Sequence, residues 1–161
     1  DEAIVRYMRK KHNLLIGERT AEEMKRMIGS ACPRKEQLFV DVKGRNLISG
    51  LPQYIVVGSN EMIDALEEPL QSILEQVRML FERCPPDLAS DIVSTGICLT
   101  GGGGLIYGMD RFVAEHTKVP CYVAEDPISC VAIGTGKVLE NMESYSRGAI
   151  YDYKRGEYYE S

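Results

Sequence analysis

The chain has no tryptophan, only two histidines (His12 and His116) and three phenylalanines. With so few imidazoles and no C-x-x-C spacing, a zinc site lacks the ligands it needs. No apolar run approaches the ~20 residues that a membrane-crossing helix requires. Positive charge is also short. Nineteen Lys and Arg against twenty-four Asp and Glu leave a formal net charge of −5, which argues against general nucleic-acid binding, since that runs on basic patches. No G-x-S-x-G, no H-E-x-x-H and no acidic cluster able to hold magnesium is present. The first residues, DEAIVRYMRKKH, do not have the basic-then-apolar layout of a signal peptide. They open directly into a helical pattern without an initiator methionine, so we expect a piece of a longer chain.

What is present describes an ordinary globular domain. The 161 residues are 44% hydrophobic and 27% charged, enough for one domain with a real core. The five cysteines (Cys32, Cys84, Cys98, Cys121 and Cys130) are odd in number and widely spaced. They read as reduced thiols, with Cys98 and Cys121 acting as small hydrophobes inside apolar runs.

Periodicity predicts the elements. An amphipathic helix runs from about Asp1 to His12, with Ala3, Ile4, Tyr7 and Met8 on one side. A second spans Ala21 to about Ile28, opened by Thr20 and Glu23 as a capping box. Residues 38–42 and 53–58 read as strands joined by KGRNLISGLP, a hairpin-like connection. Ser59 or Asn60 then caps a long helix whose apolar face is Ile63, Leu66, Leu70, Ile73, Val77 and Leu80. Pro69 should kink or divide it, and Cys84-Pro85-Pro86 should end it. A short segment, 87–93, leads to a strand at 97–100, a helix from about Leu105 to His116, a strand at 119–123 and a last helix from about Ile128 to Met142. Strand–helix–strand–helix order after residue 96 implies a parallel sheet with a crossover, and the hairpin and helices before residue 90 imply a separate α+β lobe. Residues 143–161 hold five of the nine tyrosines without a regular period, and a poorly ordered tail is expected there.

The chemistry concentrates in two places. The stretch ICLTGGGGLIYGMDRF, 97–112, puts Gly101, Gly102, Gly103 and Gly104 between an apolar strand and an amphipathic helix. In open parallel sheets ligands sit there, off the carboxyl end of a strand. Glycine lets a flat or bulky ligand touch the backbone. The known phosphate motifs do not fit, because Leu105, Ile106 and Tyr107 stand where G-x-G-x-x-G needs its last glycine and Met109 follows Gly108 where a P-loop needs lysine. A ligand contact and a plain flexible turn both account for the glycines. Glu22 and Lys25, at i and i+3 on one helix, could hold ribose hydroxyls and an adenine edge, or form a solvated ion pair. Glu125-Asp126 could bind a metal, but Pro127 favours a cap or turn role for Asp126.

Six blocks taken together resemble one family. They are LIGERTAEEMKRMIGSA (15–31), VKGRNLISGLP (42–52), ALEEPL (65–70), CPPDLASDI (84–92), LTGGGGL (99–105) and VAEDPISCVAIGTGKVLE (123–140). They closely resemble the bacterial MreB/Mbl proteins, which are actin-like, rod-shape-determining filament proteins, over residues 1 to about 142. The resemblance implies an α/β, actin-like (ribonuclease-H-like) lobe with a parallel or mixed sheet and an inserted small α+β subdomain. Residues 1–31 and 89–142 would form the inner, nucleotide-binding subdomain and 32–88 the outer one. It implies ATP between two lobes, of which this chain is the second. Glu22, Glu23, Met24 and Lys25 would contact ribose and adenine, and Gly101 to Gly104 would cradle the adenosine. The family has alanine where this chain has Gly104, a change costing ~1 kcal/mol of helix stability.

The phosphate hairpins, the magnesium-ordering acid, the water-activating residue and the membrane-contacting elements would lie before this chain begins. The chain alone would therefore not hydrolyse ATP, and no catalytic or metal-binding residue is assigned to it. The family implies self-association into protofilaments, work with the cell-wall elongation machinery, and a cytoplasmic place at the inner face of the bacterial membrane. Two alternatives are a related superfamily enzyme, such as a sugar kinase or chaperone ATPase lobe, and an interaction module that has lost its nucleotide.

Overall fold

Amphipathic periodicity produces the first helix, and the computed structural model, which describes residues 1–142, shows how it is used. Helix α1 (Glu2–His12) buries Ile4 and Met8, ends at Asn13 in the left-handed conformation, and delivers the chain to a short strand β1 (Leu14–Leu15). Helix α2 (Glu18–Ile28) follows. Strands β2 (Phe39–Asn46) and β3 (Pro52–Gly58) form the expected hairpin, longer than 38–42 and 53–58 because the register continues from Phe39↔Gly58 to Arg45↔Pro52. The two-residue β1 adds to its edge, antiparallel, pairing Leu14 with Asn46 and Leu15 with Arg45. No periodicity signals so short a strand. At Gly44 a Cβ would fall 2.6 Å from the Leu14 side chain and 2.7 Å from the Leu15 carbonyl, so glycine permits this close approach.

Helix α3 (Ser59–Arg83) is one helix through Pro69, neither divided nor ended there. Proline in a helix interior costs ~3 kcal/mol, but Met62, Ala65 and Leu66 before it and Leu70 after it are buried in one core, and that packing outweighs the local penalty. The buried face also differs from the sequence pattern, for Ile73 and Leu80 are exposed while Leu74 is buried. The cap is Glu61, whose carboxylate accepts from the Gly58 N–H at 3.3 Å, and whose other oxygen lies 2.6 Å from His12 Nε2. One side chain thus closes the start of α3 and ties it to the end of α1.

The expected capping box at Thr20 and Glu23 is absent. Helix α2 begins earlier, after Gly17, because Ile16 is already anchored in the core as the chain leaves β1. Thr20 is then inside the helix, and Glu23 pairs with Arg19 at 3.2 Å.

Segment 87–93 lies within a regular helix, α4 (Pro86–Thr95), led by Pro86 at its first position. Strands β4 (Ile97–Leu99) and β5 (Cys121–Val123) pair in parallel, joined through α5 (Met109–Thr117), and α6 (Cys130–Glu140) comes last. The helix expected from Leu105 starts at Met109, after a 3-10 turn over Gly102–Leu105 and a left-handed Gly108. The last helix starts two residues after Ile128, where the Asp126 carboxylate accepts from the Ser129 N–H at 3.3 Å. Asp126 thus serves as a turn residue.

A single cluster joins Ile4, Met8 and Leu14 to Ala21, Met24 and Ile28 of α2, Val42 and Val57 of the hairpin, α3, and Met109 and Val113 of α5. Helices α4 and α6 contribute no buried residue to it, and Ile128, Val131 and Leu139 stand about 70% exposed. The expectation for the tail lies outside the described residues.

The two cysteines on the parallel pair differ in setting. Cys98 is exposed, whereas burial, with Asp110 nearby, pushes the Cys121 thiol up from its ordinary value. The thiolate is the reactive form. Iodoacetamide at pH 8 is therefore expected to label Cys98 well before Cys121, read by peptide mass spectrometry. Equal labelling rates would contradict this placement.

Candidate nucleotide-binding cleft

Two segments distant in the chain are brought together by a backbone bridge. The Ala31 N–H donates to the Tyr107 carbonyl at 2.8 Å, and the Tyr107 N–H donates to the Gly29 carbonyl at 3.3 Å. This pins the end of α2 against the chain just after the glycines. The outer face of α2 therefore lies over the glycine turn, and a cleft of about 460 Å³ opens between them. It is lined by Glu22, Lys25 and Arg26 from α2, by Gly102, Gly103, Leu105 and Ile106, and by Ile128.

The four glycines do different things. Gly101 adopts φ +75° as the chain leaves β4, a conformation that favours glycine, and its N–H donates to the Pro127 carbonyl. Gly104 is buried against β4, where an alanine Cβ would come 3.3 Å from that of Leu99. Gly102 and Gly103 are the ones that face the cleft. Neither has a positive φ, and a Cβ on either would meet no protein atom within 4 Å. Neither backbone geometry nor internal packing requires glycine there. Glycine there leaves bare backbone open to the cleft, with room for a bulky ligand to lie on it.

On α2 the carboxylate of Glu22 and the ammonium of Lys25 reach the cleft together, as their spacing suggests. Lys25 Nζ is held 2.7 Å from a carboxylate oxygen of Asp1, in a pair about one-third exposed. Asp1 escaped the sequence reading because the contact joins two helices and follows no local spacing. Glu23 and Met24 are not brought to this cleft. Met24 is 1% exposed, in the core, and Glu23 faces the side of α2 toward the β2–β3 hairpin, beside Met27 and Phe39. Arg26 lines the cleft and had no sequence signal beyond standing one turn after Glu22. Among the described residues no group of His, Cys, Asp and Glu side chains could hold a metal ion. The arrangement can grip a flat, polar-edged molecule: a carboxylate and cations on one wall, bare backbone below, and aliphatic side chains opposite.

Comparison with known proteins agrees with this architecture. The model of a family described as MreB/Mbl protein matches residues 1–147. The cell shape-determining protein MreB of Escherichia coli (strain K12) is 49% identical over 145 residues, 90% of this chain and 42% of that protein. The cell shape-determining protein Mbl of Bacillus subtilis (strain 168) is 43% identical over 143 residues, 89% of this chain and 43% of that one. The crystal structure of MreB5 of Spiroplasma citri bound to ADP superposes with a TM-score of 0.86 at 32% identity, covering 92% of this chain and 45% of the other. The chain thus spans less than half the length of the relatives it matches. Its fold is actin-like α/β, and the chain belongs to the MreB/Mbl family.

Proposed function

We propose that this chain is the adenosine-binding part of an ATP-binding bacterial actin homologue, which forms filaments at the membrane and controls cell shape by organising wall synthesis. The observation that carries the reading is the cradle. Gly102 and Gly103 present bare backbone to a cleft whose other wall holds Glu22 and Lys25. Glu22 takes the ribose hydroxyls, Lys25 the adenine edge, and the glycines the face of the nucleoside. The ADP bound to MreB5 supports the same ligand class here.

Residues 1–31 and 89–142 act as the inner subdomain and 32–88 as the outer one, which carries contacts between copies along a protofilament. The phosphates, magnesium and the attacking water are handled by the rest of the protein. So are the contacts with the membrane and the wall-elongation machinery. The exposed apolar side chains Val93 of α4 and Val131 and Leu139 of α6 fit coverage by that remainder.

Titration calorimetry of the 161-residue chain with ATP and with adenosine, each with and without magnesium, tests the reading. Weak and similar affinities, indifferent to magnesium, are expected. Tight magnesium-dependent ATP binding would place a phosphate site within the chain and end the division of labour proposed here. No binding of either ligand would leave a nucleotide-free interaction module.

A further inference from the structure

Arg26 has no part in the reading above, although it lines the same cleft. It follows Glu22 by four residues and Lys25 by one, so the helix turns all three toward the same side. Its circumstances differ from theirs. The Lys25 ammonium is held by Asp1 at 2.7 Å. Arg26 is exposed, and among the described residues its guanidinium forms neither an ion pair nor a hydrogen bond. The remaining lining is aliphatic: Leu105, Ile106 and Ile128, with Leu105 and Ile128 more than half exposed. A planar cation on one wall and aliphatic surface on the other make a slot for a flat heteroaromatic ring.

We propose that Arg26 stacks its guanidinium on the base of the bound nucleotide and sets the preference of the cleft for a purine. The inference rests on the reading of this cleft as a nucleoside site and adds the residue that reads ring size. The physics favours stacking over simple charge attraction. A guanidinium is flat, delocalised and weakly hydrated, so it lies on an aromatic face at small desolvation cost, which an ammonium does not. A purine offers the larger face. Removing such a contact at a partly exposed site weakens binding by roughly three- to thirtyfold.

Calorimetry of the 161-residue chain with adenosine, ATP and uridine, on wild type, Arg26→Ala and Arg26→Lys, tests this. Arg26→Ala is expected to weaken adenosine and ATP by the same factor, about tenfold, and to narrow the gap between adenosine and uridine. Arg26→Lys keeps the charge and should not restore the loss. Thermal melts should coincide, because the side chain is exposed and has no polar partner among the described residues. Unchanged adenosine affinity in Arg26→Ala, with ATP alone weakened, would make Arg26 a phosphate clamp and overturn the stacking role while the nucleoside site stands. Full recovery in Arg26→Lys would also overturn it. Wild-type protein that binds no adenosine would remove the site itself, and the inference with it.

Discussion

Gly102→Val is expected to reduce adenosine affinity at least tenfold while leaving the melting temperature within about 2 °C of wild type. The expectation combines two facts about one position. A Cβ at Gly102 would meet no protein atom within 4 Å, and the backbone there is not in the left-handed region, so a side chain is accommodated without strain or overpacking. Surface substitutions of this kind change stability by about 0.5 kcal/mol or less. The same side chain would stand in the cleft between Glu22, Lys25 and the glycine turn, in the volume the nucleoside needs. Its branched carbons would prevent close approach to the backbone, and each ~1.4 kcal/mol so lost weakens binding tenfold. Calorimetry beside a thermal melt separates the two effects. A variant that melts much lower would show that the glycine serves the fold. One that binds like wild type would show that the ligand does not lie on this backbone. Gly104→Ala provides the contrast: it faces Leu99, lies behind the cradle, and should leave affinity unchanged.

Leu14→Ala is expected to have the largest effect on stability, about 3 kcal/mol or ~10 °C in melting temperature. Leu14 is fully buried and belongs to a strand of two residues. Its side chain packs over Gly44, in the space that glycine leaves open. Truncation therefore creates a cavity at the point where α1, β1 and the hairpin meet, and the tight β1–β2 approach limits how far the site can relax. Ile73→Ala is the control. The apolar period of α3 gives Ile73 a core position, yet it is nearly half exposed, so its loss should cost less than ~1 kcal/mol. Urea unfolding of both variants measures the difference. Equal losses would mean that the described core is not the one that carries stability.

These two positions show how far a one-dimensional reading reaches. The periods of α1, α2 and α3 are strong enough to predict helices, and the hairpin is announced by β-branched runs around Gly50 and Pro52. The parallel β4–β5 pair follows from the order of elements. What misled was local rule against distant packing. Pro69 should break α3, but the core residues on both sides hold the helix together. Thr20 and Glu23 have capping-box spacing, but Ile16 is anchored upstream and α2 starts before Thr20. Strand β1 is too short to carry a period and exists only because Arg45 and Asn46 lie beside it.

The candidate site divides in the same way. The glycine run and the Glu22–Lys25 spacing are visible in the sequence because each is a local pattern. Which glycines meet the cleft, and which neighbours of Lys25 share it, is not. A helix turns consecutive side chains by about 100°, so Glu23 and Met24, adjacent to both marked residues, face the hairpin and the core while Arg26 returns to the cleft. The amino-acid sequence by itself determined most of the elements, the family, and the glycine run and Glu22–Lys25 spacing as local patterns, because hydrophobic period and backbone permissiveness are properties of short segments. Only the tertiary structure decided that these segments line one cleft, that Asp1 holds Lys25 and that Arg26 has no polar partner among the described residues. Those facts depend on the bridge from Gly29 and Ala31 to Tyr107, a contact between segments that no local spacing relates.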